Sequence, residues 1–163
     1  MKIEYTLTAE PKAMPAEEKL GFGKHFTDHM LRVEWDKDKG WHDAKITPYQ
    51  PIQLWPAASV LHYSQSIFEG MKAYRAVDGT LRMFRPEENF KRLANSCRRM
   101  CIPEMDQQFQ MESLVELLKV DQDWIPKSEG TSLYIRPFII ACKNFLGVHP
   151  ADDYLYMVIL SPS

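Results

Sequence analysis

Tyr134 and Arg136 form a pair of side chains with the chemistry to bind an anion. They lie two positions apart in TSLYIRPFIIA (131–141), and this β-branched and aromatic stretch is typical of a strand. Alternate residues of a strand point to the same face, so the phenol and the guanidinium can together hold a carboxylate. The same pattern also fits an exposed arginine packed on an aromatic neighbour.

Arg92 is a second candidate for anion binding. It lies on a predicted helix that Pro86 opens, two residues past Phe90 and therefore about 200° around the axis from it. A guanidinium matches a phosphate in geometry and charge, which makes Arg92 a possible phosphate clamp. A solvated helix face explains the spacing equally well, because Arg92 lies off the apolar stripe formed by Phe90, Leu93, Ala94, Cys97 and Cys101.

Other kinds of chemistry have weaker support. Tyr63 and Phe68 lie in AASVLHYSQSIF (57–68), which we interpret as a short helix that ends at Glu69-Gly70, and on pattern alone they are core aromatics. The five histidines form no recognisable ligand set, so we predict no metal site. The sequence contains no dinucleotide fingerprint, P-loop or nucleophile elbow.

Strands and helices alternate irregularly around these residues. Residues 1–21 read as an irregular arm and residues 22–163 as one domain. Val77-Asp78-Gly79 predicts a hairpin turn, and Pro137 suggests that the strand over 131–141 is an edge strand or contains a bulge. The fold class is therefore α/β or α+β, with predicted strands over 28–35, 41–49, 71–76, 80–85, 131–141 and 153–160, and helices over 57–68, 86–102 and 107–121.

Composition and net charge argue against nucleic acid and membranes as partners. The chain has 163 residues, a net charge of −2 and three cysteines. It has no basic stripe for nucleic acid and no apolar run long enough to span a membrane, so we expect neither partner. The N-terminus resembles neither a secretory signal nor a transit peptide, and we expect a cytoplasmic protein. We interpret the three cysteines as small, buried hydrophobic residues. The alternative is a redox pair formed by Cys97 and Cys101.

Five segments resemble the branched-chain amino acid aminotransferases, which are fold-type IV enzymes that use pyridoxal 5′-phosphate (PLP). The matching segments are FGKHFTDHMLRVEW (22–35), LHYSQSIFEGMKAYR (61–75), MFRPEENFKRLANSCRRMCIP (83–103), GTSLYIRPFIIACKNFLGV (130–148) and YMVILSP (156–162). The resemblance implies the small N-terminal domain of these enzymes, with a twisted, mostly antiparallel sheet and flanking helices. Its site would lie in a cleft facing a larger C-terminal domain.

The resemblance also implies roles for individual residues. Arg92 corresponds to the arginine that binds the PLP phosphate. Phe22, Tyr63 and Phe68 correspond to walls of the substrate pocket, and Tyr134 and Arg136 to the pair near the substrate side chain. Val148 corresponds to a residue lent to the neighbouring active site of a homodimer. The implied substrates are leucine, isoleucine or valine together with 2-oxoglutarate or glutamate.

The sequence departs from the family in one respect: it contains no counterpart of the family's Schiff-base lysine. In the family this lysine lies beyond the segment that matches YMVILSP. Lys72, Lys91, Lys119 and Lys143 belong to other motifs, so we expect the 163-residue chain alone to be inactive. Two other interpretations stay open. One is a different fold-type IV enzyme, such as a D-amino acid aminotransferase or an aminodeoxychorismate lyase. The other is a stand-alone domain without catalysis.

Overall fold

The protein forms one eight-stranded sheet with three helices in a computed structural model that describes all 163 residues. The strands are β1 (Ile3–Tyr5), β2 (His29–Asp36), β3 (Gly40–Pro48), β4 (Ser66–Phe68), β5 (Met71–Arg75), β6 (Leu81–Met83), β7 (Leu133–Ala141) and β8 (Asp153–Pro162). The helices are α1 (Ser59–Tyr63), α2 (Pro86–Arg99) and α3 (Gln107–Val120). The fold class implied by the resemblance is confirmed, since the sheet is mostly antiparallel and flanked by helices.

Strands far apart in the chain meet at the centre of the sheet. The strand order is β1-β3-β2-β8-β7-β5-β6, and β4 pairs with β7 beside β5. Only β1 and β3 run parallel. The longest ladder joins β7 to β8 and places Tyr134 opposite Ser161 and Arg136 opposite Ile159. Directly opposed residues point to the same face, so these four side chains share one face of the sheet.

The two faces of β7 differ in what covers them. Leu133, Ile135 and Ile139 are fully buried on the face that α2 and α3 cover, as part of a core of 27 residues. Tyr134 and Arg136, on the other face, are only half-buried. That second face carries a smaller apolar cluster around Met30, Ile140, Leu155 and Met157. The helices therefore anchor the sheet, while the second face stays open around Tyr134 and Arg136.

The helix predicted over 57–68 is wrong in its second half. Helix α1 ends at Tyr63, because Ser64 takes a left-handed backbone conformation with φ of 51°. Residues 66–68 form β4, paired with Ile140, Ile139 and Phe138 of β7. The sequence pattern does not reveal β4, because a short apolar run fits either a helix or a strand. Pairing with a distant strand decides between the two.

Both alternatives predicted from Pro137, an edge strand or a bulge, are also wrong, since β7 has neighbours on both sides and its pairings show no register shift. The carbonyl of Pro137 accepts a hydrogen bond from the Glu69 amide at 2.9 Å, in the gap between β4 and β5. The proline nitrogen faces the same gap, where the ladder is already interrupted. An interior strand therefore tolerates a residue without an N–H at this position.

The first residues are more ordered than the irregular arm predicted for 1–21. Residues 3–5 form β1 against β3. The Thr8 amide donates to His29 Nε2 at 3.0 Å, and the buried His29 Nδ1 lies 2.6 Å from Asp121. These contacts bind the arm to the sheet and to the end of α3. No helix of the protein is both long enough and apolar enough to cross a membrane.

Candidate functional site

Tyr134 and Arg136 form a directly bonded pair on the open face of the sheet. Arg136 donates from Nε and Nη2 to the Tyr134 hydroxyl at 3.2 and 2.8 Å. No carboxylate of the chain lies within 4.0 Å of the Arg136 guanidinium, and its Nη1 has no acceptor in the protein. Arg136 is therefore a half-buried cation without an anionic partner, which is an arrangement suited to binding a carboxylate.

Aromatic rings surround this pair. The Arg136 guanidinium lies 4.4 Å from the centre of the Phe68 ring, and Phe22 packs edge-on against Tyr134 with ring centres 4.8 Å apart. Phe22 and Phe68 are nonetheless 65% and 63% exposed. Large aromatic rings left open beside an unpaired cation are typical of a site that a ligand or another part of the protein covers.

A cavity of about 190 Å³ opens at this point of the sheet. The lining brings Tyr134 and Arg136 together with two residues that are distant in sequence. These are Phe22, which begins the matching segment 22–35, and Ser161, near the end of β8. The walls are mostly apolar and the polar groups few, as in small-molecule sites generally. The complete lining consists of Phe22, Gly23, Phe26, Tyr134, Arg136, Ile159 and Ser161.

Gly70 determines how close the backbone comes to Tyr134. A Cβ built on Gly70 would collide with the Tyr134 hydroxyl oxygen. Only glycine at this position lets the hydroxyl lie where Arg136 can reach it. In the sequence, Gly70 is recognisable only as a helix stop, because its contact with Tyr134 depends on the pairing of β5 with β7.

Arg92 has a quite different environment from Arg136. Its Nε and Nη2 donate to the two carboxylate oxygens of Glu69, each at 2.9 Å, and Asn89 Nδ2 donates to the same carboxylate at 3.0 Å. Burial acts to raise the pKa of Glu69, but hydrogen bonds from Arg92, Asn89 and the Gly70 amide outweigh it and hold that pKa below its usual value. Glu69 in turn raises the pKa of Arg92. One edge of the guanidinium is thus held in place, and Nη1 stays free.

Glu69 links the two arginines in space. It precedes Gly70, which touches Tyr134, and follows Phe68, whose ring stacks on Arg136. Arg92 is therefore connected to Tyr134 and Arg136 through the segment Phe68-Glu69-Gly70, although α2 itself covers the opposite face of the sheet. The residues at this location are Phe22, Phe68, Glu69, Gly70, Arg92, Tyr134, Arg136 and Ser161, which we call the arginine site.

Two of the predicted site residues lie outside the arginine site within this chain. Tyr63, on α1, has His62 as its aromatic neighbour and lines no part of the cavity. Val148 lies in the segment between β7 and β8 and is 87% exposed. Their assignment to a substrate pocket stays a prediction.

A second polar group surrounds His42 on β3. Its Nε2 lies 2.8 Å from Asp36 and its Nδ1 lies 3.0 Å from Asp43, and Glu34 is also near enough to share a metal ion with His42 and Asp43. This cluster is not predictable from the sequence, because its residues come together only when β2 pairs with β3. The mutual hydrogen bonds already satisfy both imidazole nitrogens.

Comparison with known proteins connects this geometry to a family. A probable branched-chain-amino-acid aminotransferase of Staphylococcus aureus (strain N315) is 52% identical over all 163 residues, and branched-chain-amino-acid aminotransferase 2 of Bacillus subtilis (strain 168) is 50% identical over 162 residues. The chain matches the N-terminal part of the branched-chain-amino-acid aminotransferases. It spans 45% and 44% of the length of these two relatives. No family model matches the chain.

Solved structures of the same family share the fold. The T.th. branched-chain amino acid aminotransferase, complexed with N-(5′-phosphopyridoxyl)-L-glutamate, is 25% identical and superposes with a TM-score of 0.59. This match covers 79% of the chain and 40% of that protein. The Escherichia coli branched-chain amino acid aminotransferase is 23% identical and superposes with a TM-score of 0.57. This match covers 80% of the chain and 39% of that protein, and it supports the fold alone.

Proposed function

We propose that the full-length protein transfers the amino group of leucine, isoleucine or valine to 2-oxoglutarate with PLP as cofactor. The observation that carries this proposal is the unpaired Arg136 beside Tyr134 in a cavity with mostly apolar walls. One cavity must accept an aliphatic side chain in one half of the reaction and a carboxylate in the other. Apolar rings with a single available cation meet both needs.

The arginine site suits a phosphorylated cofactor. Arg92 keeps one guanidinium nitrogen free while Glu69 fixes the other edge, and its side chain is mostly exposed, so a phosphate can approach. PLP, when bound, supplies the electron sink for the reaction, and the protein supplies binding and orientation. In this proposal Arg92 holds the phosphate, while Phe22, Phe68 and Tyr134 form walls that exclude water from the substrate side chain.

Further parts of the proposal need groups from outside this chain. In this proposal the Schiff-base lysine comes from the part of the family's length that the chain does not span, so the 163 residues alone would be inactive. Tyr63 completes the pocket wall, and Val148 enters the neighbouring site in a homodimer in the cytoplasm. The exposure of Val148, Leu146 and Phe145 supports burial by a second subunit.

A substrate panel on the full-length protein tests the function. We expect leucine and 2-oxoglutarate to give 4-methyl-2-oxopentanoate and glutamate, with isoleucine and valine also active. D-alanine should be at least about a hundredfold slower, because its methyl side chain leaves the apolar walls largely unfilled and its Cα has the opposite configuration. Faster turnover of D-alanine than of leucine would instead indicate a D-amino acid aminotransferase, and no turnover of any amino acid would contradict the proposal.

A further inference from the structure

Ser161 carries a buried hydroxyl that nothing in the protein satisfies. The residue is only 2% exposed, and its Oγ has no hydrogen-bond partner. An unpaired buried hydroxyl is unfavourable, since it has lost its hydrogen bonds to water without replacement. Such a group calls for an explanation, and a missing ligand is one.

The position of Ser161 indicates what that ligand touches. Ser161 lies directly opposite Tyr134 in the β7–β8 ladder, so both side chains point to the open face of the sheet. Ser161 also lines the same cavity as Arg136. The Arg136 guanidinium is committed to the Tyr134 hydroxyl through Nε and Nη2 but has Nη1 available. Arg136 and Ser161 thus offer one cavity two unused hydrogen-bond donors from neighbouring strands.

We propose that Ser161 is a specificity-determining residue that donates a hydrogen bond from Oγ to the distal carboxylate of a dicarboxylic substrate, beside Arg136. A carboxylate has about four acceptor positions and can engage both donors at once. An aliphatic side chain would leave the serine unpaired, so Ser161 favours the dicarboxylate over the aliphatic substrate. This inference rests on the proposed function, because it assumes that the cavity receives substrate side chains.

Equilibrium binding to the full-length protein tests the inference without requiring turnover. Glutarate is glutamate without its amino group, and 4-methylvalerate is leucine without its amino group. We expect Ser161→Ala to raise the Kd of glutarate about tenfold, which is the loss of one hydrogen bond to a charged group. The Kd of 4-methylvalerate should change less than twofold. Isothermal titration calorimetry measures both constants.

Two further variants separate the hydroxyl from general effects of packing. Ser161→Thr keeps a hydroxyl and should retain glutarate binding within about threefold of the wild type. Ser113→Ala removes a buried hydroxyl from α3, where it donates to the Gln110 carbonyl, and should leave both Kd values unchanged. This matched control detects any effect of losing a buried serine elsewhere in the fold.

The outcomes distinguish the inference from the function on which it rests. Equal weakening of both ligands by Ser161→Ala, unchanged glutarate binding, or a wild type that does not bind glutarate would each overturn the role of Ser161. Failure of the wild type to transaminate leucine would instead overturn the proposed function. Each result is read from a different assay.

Discussion

At the scale of single residues, the two arginines predicted from the sequence differ most in their partners. Arg92 is paired with Glu69 through two hydrogen bonds, while Arg136 bonds only to a neutral phenol. Both are arginines on polar faces in the sequence, and spacing alone gives no reason to separate them. The difference arises just after β4, where Glu69 pairs with Arg92 of α2. No carboxylate lies beside Arg136.

Replacing Arg92 tests its proposed contact with the cofactor phosphate. Arg92→Ala in the full-length protein should raise the Kd of PLP by at least about tenfold, because a charged hydrogen bond contributes about 1.5–3 kcal/mol. Absorbance titration of the apo-protein measures this constant. Arg99→Ala serves as the control, since Arg99 lies on the same helix and forms no salt bridge. Equal losses in the two variants, or none in either, would remove Arg92 from the cofactor site.

Replacing Gly70 tests the close approach between the backbone and Tyr134. Gly70→Ala places a methyl group against the Tyr134 hydroxyl and should lower the free energy of unfolding by about 1–3 kcal/mol. Tyr134→Phe removes the oxygen that the methyl group would meet first, so the double variant should be more stable than the sum of the two single changes predicts. Chemical denaturation measures all four proteins. Strict additivity would show that the contact does not limit this position.

At the scale of elements, regular patterns were predictable and long-range pairings were not. The apolar period located α2 and α3 to within a few residues, and the Asp78-Gly79 turn correctly placed the hairpin of β5 and β6. Strand β4 and the interior position of Pro137 were missed. Both depend on which strand lies beside β7, and neighbouring residues in the chain carry no signal for that choice.

The same limit applied to the arginine site. Tyr134, Arg136 and Phe68 could be proposed from motifs, whereas Glu69, Gly70 and Ser161 acquire their contacts only from strand pairing. Ser161 did offer a weak signal, as a small polar residue ending an otherwise apolar strand. Recognising its role required knowing that Tyr134 lies opposite.

The N-terminus of α3 provides a test at this scale. The Asp106 carboxylate accepts a hydrogen bond from the Phe109 amide at 2.7 Å and thereby caps the helix. Asp106→Ala should lower the free energy of unfolding by about 1 kcal/mol, and Asp106→Asn should largely preserve it, because asparagine caps nearly as well. Thermal unfolding distinguishes the two variants. Equal stabilities for Ala and Asn would show that the cap contributes nothing.

At the scale of the whole molecule, helices cover one face of the sheet, while the other face is covered only in part. The helices bury the first face, and the second carries Tyr134, Arg136 and Ser161, with Phe22 and Phe68 exposed beside them. The chain spans less than half of its curated relatives, at 45% of the length of the first. The exposed aromatic rings around the unpaired cation would form part of the cleft that the proposed function requires.

Burial across the molecule also predicts how its thiols react. Burial raises the pKa of Cys97 to about 11 and that of Cys142 to about 12, so both thiols stay protonated and unreactive near pH 8. Cys101 is exposed. We expect a thiol reagent to modify one cysteine quickly in the native protein and all three after denaturation, with mass spectrometry locating the first at Cys101. Rapid modification of Cys97 together with Cys101 would support the alternative of a redox pair.

The most direct test of the whole account is the effect of Arg136 on the two halves of the reaction. In the full-length protein, Arg136→Ala should lower kcat/KM for glutamate by about ten- to a hundredfold, since a hydrogen-bonded charge is lost from the site. The value for leucine should fall less than about threefold, because aliphatic side chains contact the rings. Stopped-flow measurement of each half-reaction gives both values. A loss of equal size for glutamate and leucine would contradict the claim that Arg136 is the cation reserved for the carboxylate.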